Sequence, residues 1–217
     1  MSPLGMSALV EYNNRSEVIQ TKLVGKFNAY NILEIYGAAV LLHKNTREIL
    51  KHIESLSAPR GRLELVISPD HKYTYIDYAH TPDALLNVLT TLVQVKKPTA
   101  RIISVCGCGG NADKTKRPIM GNISFKNADY SIFTSDNPRD EKAEDILDQM
   151  IADLPKETGT YEVVVSRVEA IQKACLMAKP EDIILIAGKG HEDYQIIGGK
   201  KSHFSDIEEV KKIFSAK

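Results

Sequence analysis

Four segments of this sequence combine residue types that could bind a small charged molecule. Arg139 can hold a carboxylate through two parallel hydrogen bonds, which a lysine cannot do. Asn137 offers a donor and an acceptor, Glu192 could pair with an ammonium group, and Arg117 would supply a second fixed cation. These residues would suit a ligand with an ammonium and a carboxylate on one carbon. The four segments are Asp136-Asn137-Pro138-Arg139, Gly188-Lys189-Gly190-His191-Glu192, Gly107-Cys108-Gly109-Gly110 and residues 77–83.

Each segment also has a purely structural interpretation. Asp136-Asn137-Pro138 is a good turn sequence. Residues 107–110 could cradle a phosphate through backbone N–H groups, or could simply allow close packing over a sheet edge, and residues 188–190 leave the same choice open. The glycines do not have the spacing of a P-loop, and they are weak evidence for a dinucleotide site. His80 and His191 lack a second ligand at metal spacing, so we expect no metal site.

These segments follow predicted strands, which alternate with predicted helices. Strands are predicted over residues 63–67, 73–77, 102–106, 130–134, 161–165 and 183–187, and helices over residues 82–95, 118–126, 143–154 and 168–178. Gly198-Gly199 indicates a hairpin within residues 195–203, and Ser205 can cap a last helix. The alternation predicts an α/β fold, a Rossmann-like, mostly parallel sheet with helices on both faces. Ligands bind such sheets beyond the carboxyl ends of the strands, where the four segments fall.

The first third of the chain has a different pattern. Apolar residues at helical spacing predict a helix over residues 28–43, and Thr46 can cap a second helix that runs through Leu56. Pro59 and Gly61 then mark a linker. We therefore expect two parts, a helical tail over residues 1–60 and the α/β domain over residues 61–217.

Composition narrows the classes of function. Lys and Arg total 28, as do Asp and Glu, so charge gives no argument for nucleic acid or membrane surfaces as partners. No apolar run approaches the roughly 20 residues that a membrane span needs. The 3 cysteines are an odd number in a chain of 217 residues and do not indicate a disulfide framework. We expect a cytoplasmic protein with reduced thiols.

The ordered set of motifs resembles the UDP-N-acetylmuramoyl-tripeptide synthetases of the Mur ligase family. The resemblance covers about residues 22–217. Gly25-Lys26-Phe27-Asn28-Ala29-Tyr30-Asn31 is similar to the end of the family's central ATPase domain, and Gly61-Arg62-Leu63-Glu64 to the junction with its C-terminal domain. The C-terminal motifs that match are the four segments above and Lys116-Arg117-Pro118.

The resemblance implies a part of an ATP-dependent ligase of peptidoglycan synthesis. The whole enzyme would use ATP and Mg²⁺ to activate the carboxylate of UDP-N-acetylmuramoyl-L-alanyl-D-glutamate, and the amine of meso-diaminopimelate would attack it. The family form with Arg at position 139 is associated with meso-diaminopimelate rather than lysine. Amino-acid-binding residues would be Arg117, Asp136, Asn137, Pro138, Arg139, Gly188 and Glu192. Residues approaching the nucleotide would be Asn28, Asn31, Arg62, Asp77 and His80.

Two departures from the family pattern limit these expectations. Ala112 stands where the family usually has Arg, and no P-loop occurs in the sequence. We therefore expect this piece to lack catalytic residues and bound cofactors of its own, and to depend on the family's N-terminal and central domains. Two alternatives stay open: a related Mur-type ligase for another amino acid, or a binding module without chemistry. A nicotinamide oxidoreductase fits least, because the glycine motif is wrong for it.

Overall fold

The computed structural model describes residues 1–12, 14–156 and 159–215. The chain divides into two compact units, the first spanning Met1–Ala58 and the second beginning at Pro59.

The first unit is a β-hairpin followed by two helices. Strands β1 (Met6–Tyr12) and β2 (Arg15–Thr21) pair antiparallel, and helices α1 (Lys26–Leu41) and α2 (Thr46–Ser55) follow. The sequence analysis missed this hairpin, whereas both predicted helices of the segment are present. The hairpin was hard to predict because β1 buries few of its side chains and its apolar residues do not alternate cleanly.

A small core holds the first unit together. It consists of the buried side chains Met6, Ile19, Ile32, Tyr36, Ile49 and Ile53. The cap of α2 is Asn45 rather than the predicted Thr46, because the Asn45 side chain accepts from the N–H of Arg47 at 2.9 Å and of Glu48 at 3.4 Å.

The second unit is built on a mostly parallel sheet, as predicted. Its strands are β3 (Glu64–Ile67), β4 (Tyr73–Asp77), β5 (Ile102–Cys106), β6 (Tyr130–Phe133), β7 (Tyr161–Val163) and β8 (Ile183–Ala187). Within the described residues they form one sheet of 6 strands in the order β3-β4-β8-β5-β6-β7. Only β3 runs antiparallel to its neighbour. All side chains of β4, β5 and β8 are buried, as in parallel sheets covered on both faces.

Within the part of the chain that the structure describes, five helices and a second hairpin complete this unit. The helices are α3 (Pro82–Val95), α4 (Lys116–Asn127), α5 (Ala143–Ile151), α6 (Arg167–Met177) and α7 (Asp206–Ser215), and strands β9 (Tyr194–Ile197) and β10 (Lys200–His203) form the hairpin. Ile103 and Val105 pack with residues of α6 and α7. The intervening Ser104 accepts a hydrogen bond at 2.9 Å from Ser124 of α4. Because successive strand residues point to opposite faces, helices cover both faces of the sheet.

Candidate functional site

Two loops at the carboxyl edge of the sheet lie directly against each other. The N–H of Gly110, after β5, donates to the carbonyl of Asn137, after β6, at 2.9 Å. A Cβ at Gly110 would lie 1.8 Å from the Pro138 carbonyl oxygen, so the loops can approach this closely only with glycine there. For residues 107–110 this contact favours the close-packing interpretation over the phosphate cradle.

The loops after β6 and β8 meet through a buried polar cluster. Asn137 Nδ2 donates to Glu192 Oε2 at 2.9 Å, and its Oδ1 accepts from Lys189 Nζ at 2.9 Å. Lys189 also donates to the carbonyl of Tyr194 at 2.8 Å and lies 3.5 Å from Glu192 Oε2. Asn137 and Lys189 are buried, whereas Glu192 is only partly buried. Asn137 and Glu192, 55 residues apart in sequence, thus form one unit at the sheet edge.

Asp136 occupies space that a side chain at position 188 would need. Gly188 has φ of +119°, and a Cβ there would lie 2.5 Å from Asp136 Oδ2. Burial raises the pKa of the Asp136 carboxyl, while Arg167 and Lys189 oppose that rise. Glycine at position 188 therefore has a structural reason, since it leaves room for this carboxylate between the two loops.

Arg167 links the carboxyl end of β8 to helix α7. Its guanidinium is fully buried and donates to both carboxylate oxygens of Asp206 at 2.8 Å. It also donates to the carbonyl of Ala187, the last residue of β8, at 3.0 Å. Arg167 thereby joins α6, α7 and the strand that leads into the Gly188 loop.

Arg139 is held mainly through its backbone. Its N–H donates to the Ile196 carbonyl at 3.0 Å, its carbonyl accepts from the Gly198 N–H at 2.7 Å, and its φ is 55°. Nη1 donates to the Gly110 carbonyl, and among the described residues this is the side chain's only hydrogen bond. The half-buried guanidinium keeps further donors for a ligand.

Arg117 is placed differently from the sequence expectation of a cation facing a ligand. It is fully buried, and Nη1 and Nη2 each donate to one carboxylate oxygen of Glu141 at 2.9 Å. Nη1 also donates to Gln149 at 2.8 Å. The arginine lowers the pKa of the Glu141 carboxyl to about 2. Its charge is therefore neutralised within the protein, where it supports the segment that follows Arg139.

Asp77 is also engaged within the protein. Its Oδ2 accepts from the N–H of Leu63 at 2.7 Å. Burial raises the pKa of the Asp77 carboxyl, and hydrogen bonds from the N–H groups of Leu63 and Ala79 oppose that rise. Because Leu63 has φ of 45°, an uncommon conformation for leucine, Asp77 helps to hold the chain next to Arg62.

The side chains of Arg62, His80 and His191 lie around the ring of Tyr78. The Arg62 guanidinium carbon lies 5.2 Å from the ring centroid, and the His80 and His191 rings lie 4.6 Å and 5.0 Å from it. Arg62 and His80 are therefore brought together, and both are exposed. Asn28 and Asn31 belong to the other unit, where Asn28 Nδ2 donates to the Val24 carbonyl at 2.8 Å and Asn31 Nδ2 donates to Asn28 Oδ1 at 3.4 Å.

The described residues contain neither a metal-binding cluster nor a membrane-spanning helix. Across residues 1–12, 14–156 and 159–215, no group of 3 or more His, Cys, Asp or Glu side chains is placed to hold a metal ion. The same ranges contain no helix with the length and hydropathy needed to span a membrane. The cysteines are buried, and burial raises the pKa of the Cys108 thiol to about 12, which makes that thiol unreactive.

Sequence reasoning missed three residues that organise the site. Lys189 was noted only as part of a motif, and Arg167 and Glu141 were not singled out at all. The sequence carried no clear signal for any of the three, because their partners lie in distant segments.

A family model described as Mur ligase, glutamate ligase domain, matches residues 61–190. The chain is 45% identical over 208 residues to the UDP-N-acetylmuramoyl-L-alanyl-D-glutamate--2,6-diaminopimelate ligase of Bacteroides fragilis, covering 95% of this chain and 42% of that protein. Its identity to the protein of the same name from Parabacteroides distasonis is 48% over 198 residues, covering 91% of this chain and 41% of the relative.

A solved structure of a UDP-N-acetylmuramoyl-L-alanyl-D-glutamate--2,6-diaminopimelate ligase superposes with a TM-score of 0.80 at 33% identity. It covers 99% of this chain, which corresponds to 44% of the solved chain. The present chain thus spans less than half the length of these relatives. The family model extends over more than half of the chain and includes the loops after β4, β5 and β6, so the chain belongs to the Mur ligase family.

Proposed function

We propose that this chain is the amino-acid-binding part of an ATP-dependent ligase that adds meso-diaminopimelate to UDP-N-acetylmuramoyl-L-alanyl-D-glutamate in the cytoplasm. Residues 1–60 would end the central ATPase domain and residues 61–217 would form the C-terminal domain. The observation that carries the proposal is the pairing of Asn137 with Glu192 beside the Arg139 loop. This arrangement presents an anion, an amide and a cation at one edge of the sheet.

These groups match the non-reacting end of meso-diaminopimelate. Glu192 would bind its ammonium group. Arg139 would bind its carboxylate through the guanidinium N–H groups that do not donate to the Gly110 carbonyl. Asp136, Pro138 and Gly188 would shape the two loops, and Arg117 would support them through Glu141. The ligand's other amine would then point away from the sheet, toward the activated carboxylate of the UDP-linked peptide.

ATP would supply the phosphoryl group that activates that carboxylate. Arg62 and His80 are exposed beside Tyr78 and fit contact with a nucleotide. Asp77 would act indirectly by holding the segment that carries Arg62. The described residues hold no cluster suited to Mg²⁺, so we assign no metal step to this chain.

Ligand titration would distinguish this function from its alternatives. Calorimetry with meso-diaminopimelate, lysine and glutamate should show binding only for the first. A preference for another amino acid would support a related Mur-type ligase for that compound. Absence of a response to meso-diaminopimelate up to millimolar concentrations would count against the proposed substrate.

Activity would separate a ligase part from a binding module. The chain alone should neither hydrolyse ATP nor form an amide bond, because it carries no P-loop. A chimera in which this chain replaces the matching part of the Bacteroides fragilis relative should form ADP and the tripeptide product with meso-diaminopimelate. If the purified chain alone made product, the assignment as a dependent part would be wrong. If a folded chimera bound the amino acid but made no product, the binding-module alternative would be favoured.

A further inference from the structure

Lys189 is a fully buried lysine whose ammonium lies beside three residues of the candidate site, Asp136, Asn137 and Glu192. Its side chain has 0% exposure. The ammonium donates to Asn137 Oδ1 at 2.9 Å and to the Tyr194 carbonyl at 2.8 Å, and it lies 3.5 Å from Glu192 Oε2 and 3.9 Å from Asp136 Oδ1. Burying an ammonium is costly unless it is paired and hydrogen-bonded, and here two carboxylates and two carbonyl oxygens surround it.

The ammonium and the Ile196 N–H together determine which way the Asn137 amide points. Oδ1 accepts from both Lys189 Nζ at 2.9 Å and the Ile196 N–H at 3.0 Å. A flipped amide would turn its NH₂ group toward these two donors and its oxygen toward the Glu192 carboxylate, leaving the Ile196 N–H without an acceptor. With Oδ1 fixed in this direction, Nδ2 must face Glu192 Oε2.

The same ammonium also fixes the Glu192 carboxylate. Glu192 Oε2 lies within reach of both Asn137 Nδ2 and Lys189 Nζ, at 2.9 Å and 3.5 Å. One buried cation therefore sets the orientation of two side chains that come from different loops. Lys189 cannot itself reach a ligand, because no part of its side chain is exposed.

We propose that Lys189 is a positioning residue of the amino-acid site, which orients Asn137 and Glu192 without contacting the ligand. This inference rests on the proposed function for its effect on substrate, but its effect on Asn137 can be observed without any substrate. Loss of the cation should leave the Asn137 amide held only by the Ile196 N–H and Glu192, which should loosen its orientation and weaken the binding of an ammonium group by Glu192.

The first test uses the 217-residue chain itself. The side-chain amide resonances of Asn137, assigned by NMR, should shift and exchange faster with solvent in Lys189→Met. Lys72→Met is the matched control, because Lys72 is also buried and donates to a carbonyl, that of Cys175, at 3.1 Å. The control should lower the melting temperature without moving the Asn137 resonances.

The second test measures substrate kinetics in the chimera with the Bacteroides fragilis relative. Lys189→Met should raise KM for meso-diaminopimelate about 10- to 100-fold, the usual range for a lost charged hydrogen bond, with KM for ATP unchanged. Lys189→Arg should recover part of this loss, because it restores the charge but not the compact ammonium.

The outcomes separate this inference from the proposed function. If Lys189→Met folds and leaves the Asn137 resonances as in wild type, the positioning role is refuted. Should Lys189→Met not fold, Lys189→Arg provides the same comparison, and unchanged Asn137 resonances together with unchanged KM would refute it equally. If wild type shows no affinity for meso-diaminopimelate while the Asn137 resonances respond to Lys189→Met, the proposed function fails and the orienting role of Lys189 stands.

Discussion

Arg167 and Asp206, the first residues of helices α6 and α7, form a fully buried ion pair with two hydrogen bonds of 2.8 Å. Removing one partner of such a pair leaves an uncompensated buried charge. We therefore expect Arg167→Met or Asp206→Asn to lower the free energy of unfolding by about 3–5 kcal/mol, as measured by urea denaturation followed by circular dichroism.

A double variant tests whether the charge itself is the cause. Arg167→Met combined with Asp206→Leu should recover most of the lost stability, since an apolar pair can replace a buried ion pair. The surface pair Lys173–Glu162 provides the control, and Lys173→Met should change stability little because exposed ion pairs contribute little. A double variant as unstable as the single variants would show that the cost arises from packing instead.

The pair of Arg117 and Glu141 should make stability depend on pH in the acid range. Arg117 lowers the pKa of the Glu141 carboxyl from 4.5 to about 2. A carboxyl with a depressed folded-state pKa stabilises the fold above its ordinary pKa, and this contribution is lost as pH falls. The stability lost on acidification from pH 4.5 toward 2 should therefore be smaller in Glu141→Gln than in wild type.

Urea denaturation at a series of pH values would measure this difference. Glu54→Gln, which changes an exposed glutamate of the first unit, should keep the wild-type profile. A carbon-13 NMR titration in which the Glu141 carboxyl protonates near its ordinary pKa would contradict the ion pair.

Arg139 should determine the choice between meso-diaminopimelate and lysine. Meso-diaminopimelate carries a distal carboxylate that lysine lacks, and a two-bond contact with Arg is worth roughly 1.5–3 kcal/mol. Arg139→Ala should therefore lower kcat/KM for meso-diaminopimelate about 10- to 100-fold and change the value for lysine little. Arg139→Lys should recover only part of the loss, because an ammonium cannot form both bonds.

The chimera described above is the system in which to compare both amino acids. Arg47→Ala removes an exposed arginine of the first unit and should leave both values unchanged. A wild-type preference for lysine, or an unchanged preference in Arg139→Ala, would rule out this role for Arg139.

Two helical glycines should respond in opposite ways to alanine. A Cβ at Gly121 of α4 would lie 1.8 Å from the Met150 carbonyl oxygen in α5, whereas nothing lies within 4 Å of a Cβ at Gly37 of α1. Gly121→Ala should therefore destabilise the second unit by roughly 1–3 kcal/mol. Gly37→Ala should stabilise the first unit by roughly 0.5–1 kcal/mol, because alanine favours helix.

Amide hydrogen exchange, resolved by residue, would measure both effects. The amides of each unit report the stability of that unit, so the two substitutions can be compared separately. Equal effects of the two substitutions would mean that α4 and α5 are not packed as closely as the structure shows.

The sequence by itself determined most elements of the second unit and the segments that carry its chemistry. The bounds of β4, β5 and β8 are those predicted, because each is a short run rich in β-branched or aromatic residues between turn residues, a pattern that favours a strand. The hairpin of β1 and β2 was missed, since the consecutive apolar residues Ala8, Leu9 and Val10 hide the alternation of a half-buried strand. That motifs such as residues 136–139 and 188–192 would gather at one sheet edge also followed from the alternation of strands and helices.

Only the tertiary structure decided which charged groups pair and which stay available. Arg117 and Arg139 looked equivalent in sequence, yet the first is neutralised by Glu141, whereas the second keeps donors for a ligand. Lys189 gained its role only when folding brought it to Asn137, 52 residues away in sequence. The physical reason is that burial makes an unpaired charge costly. Each buried cation therefore needs a partner, and the strand order decides which distant residue is near enough to be one.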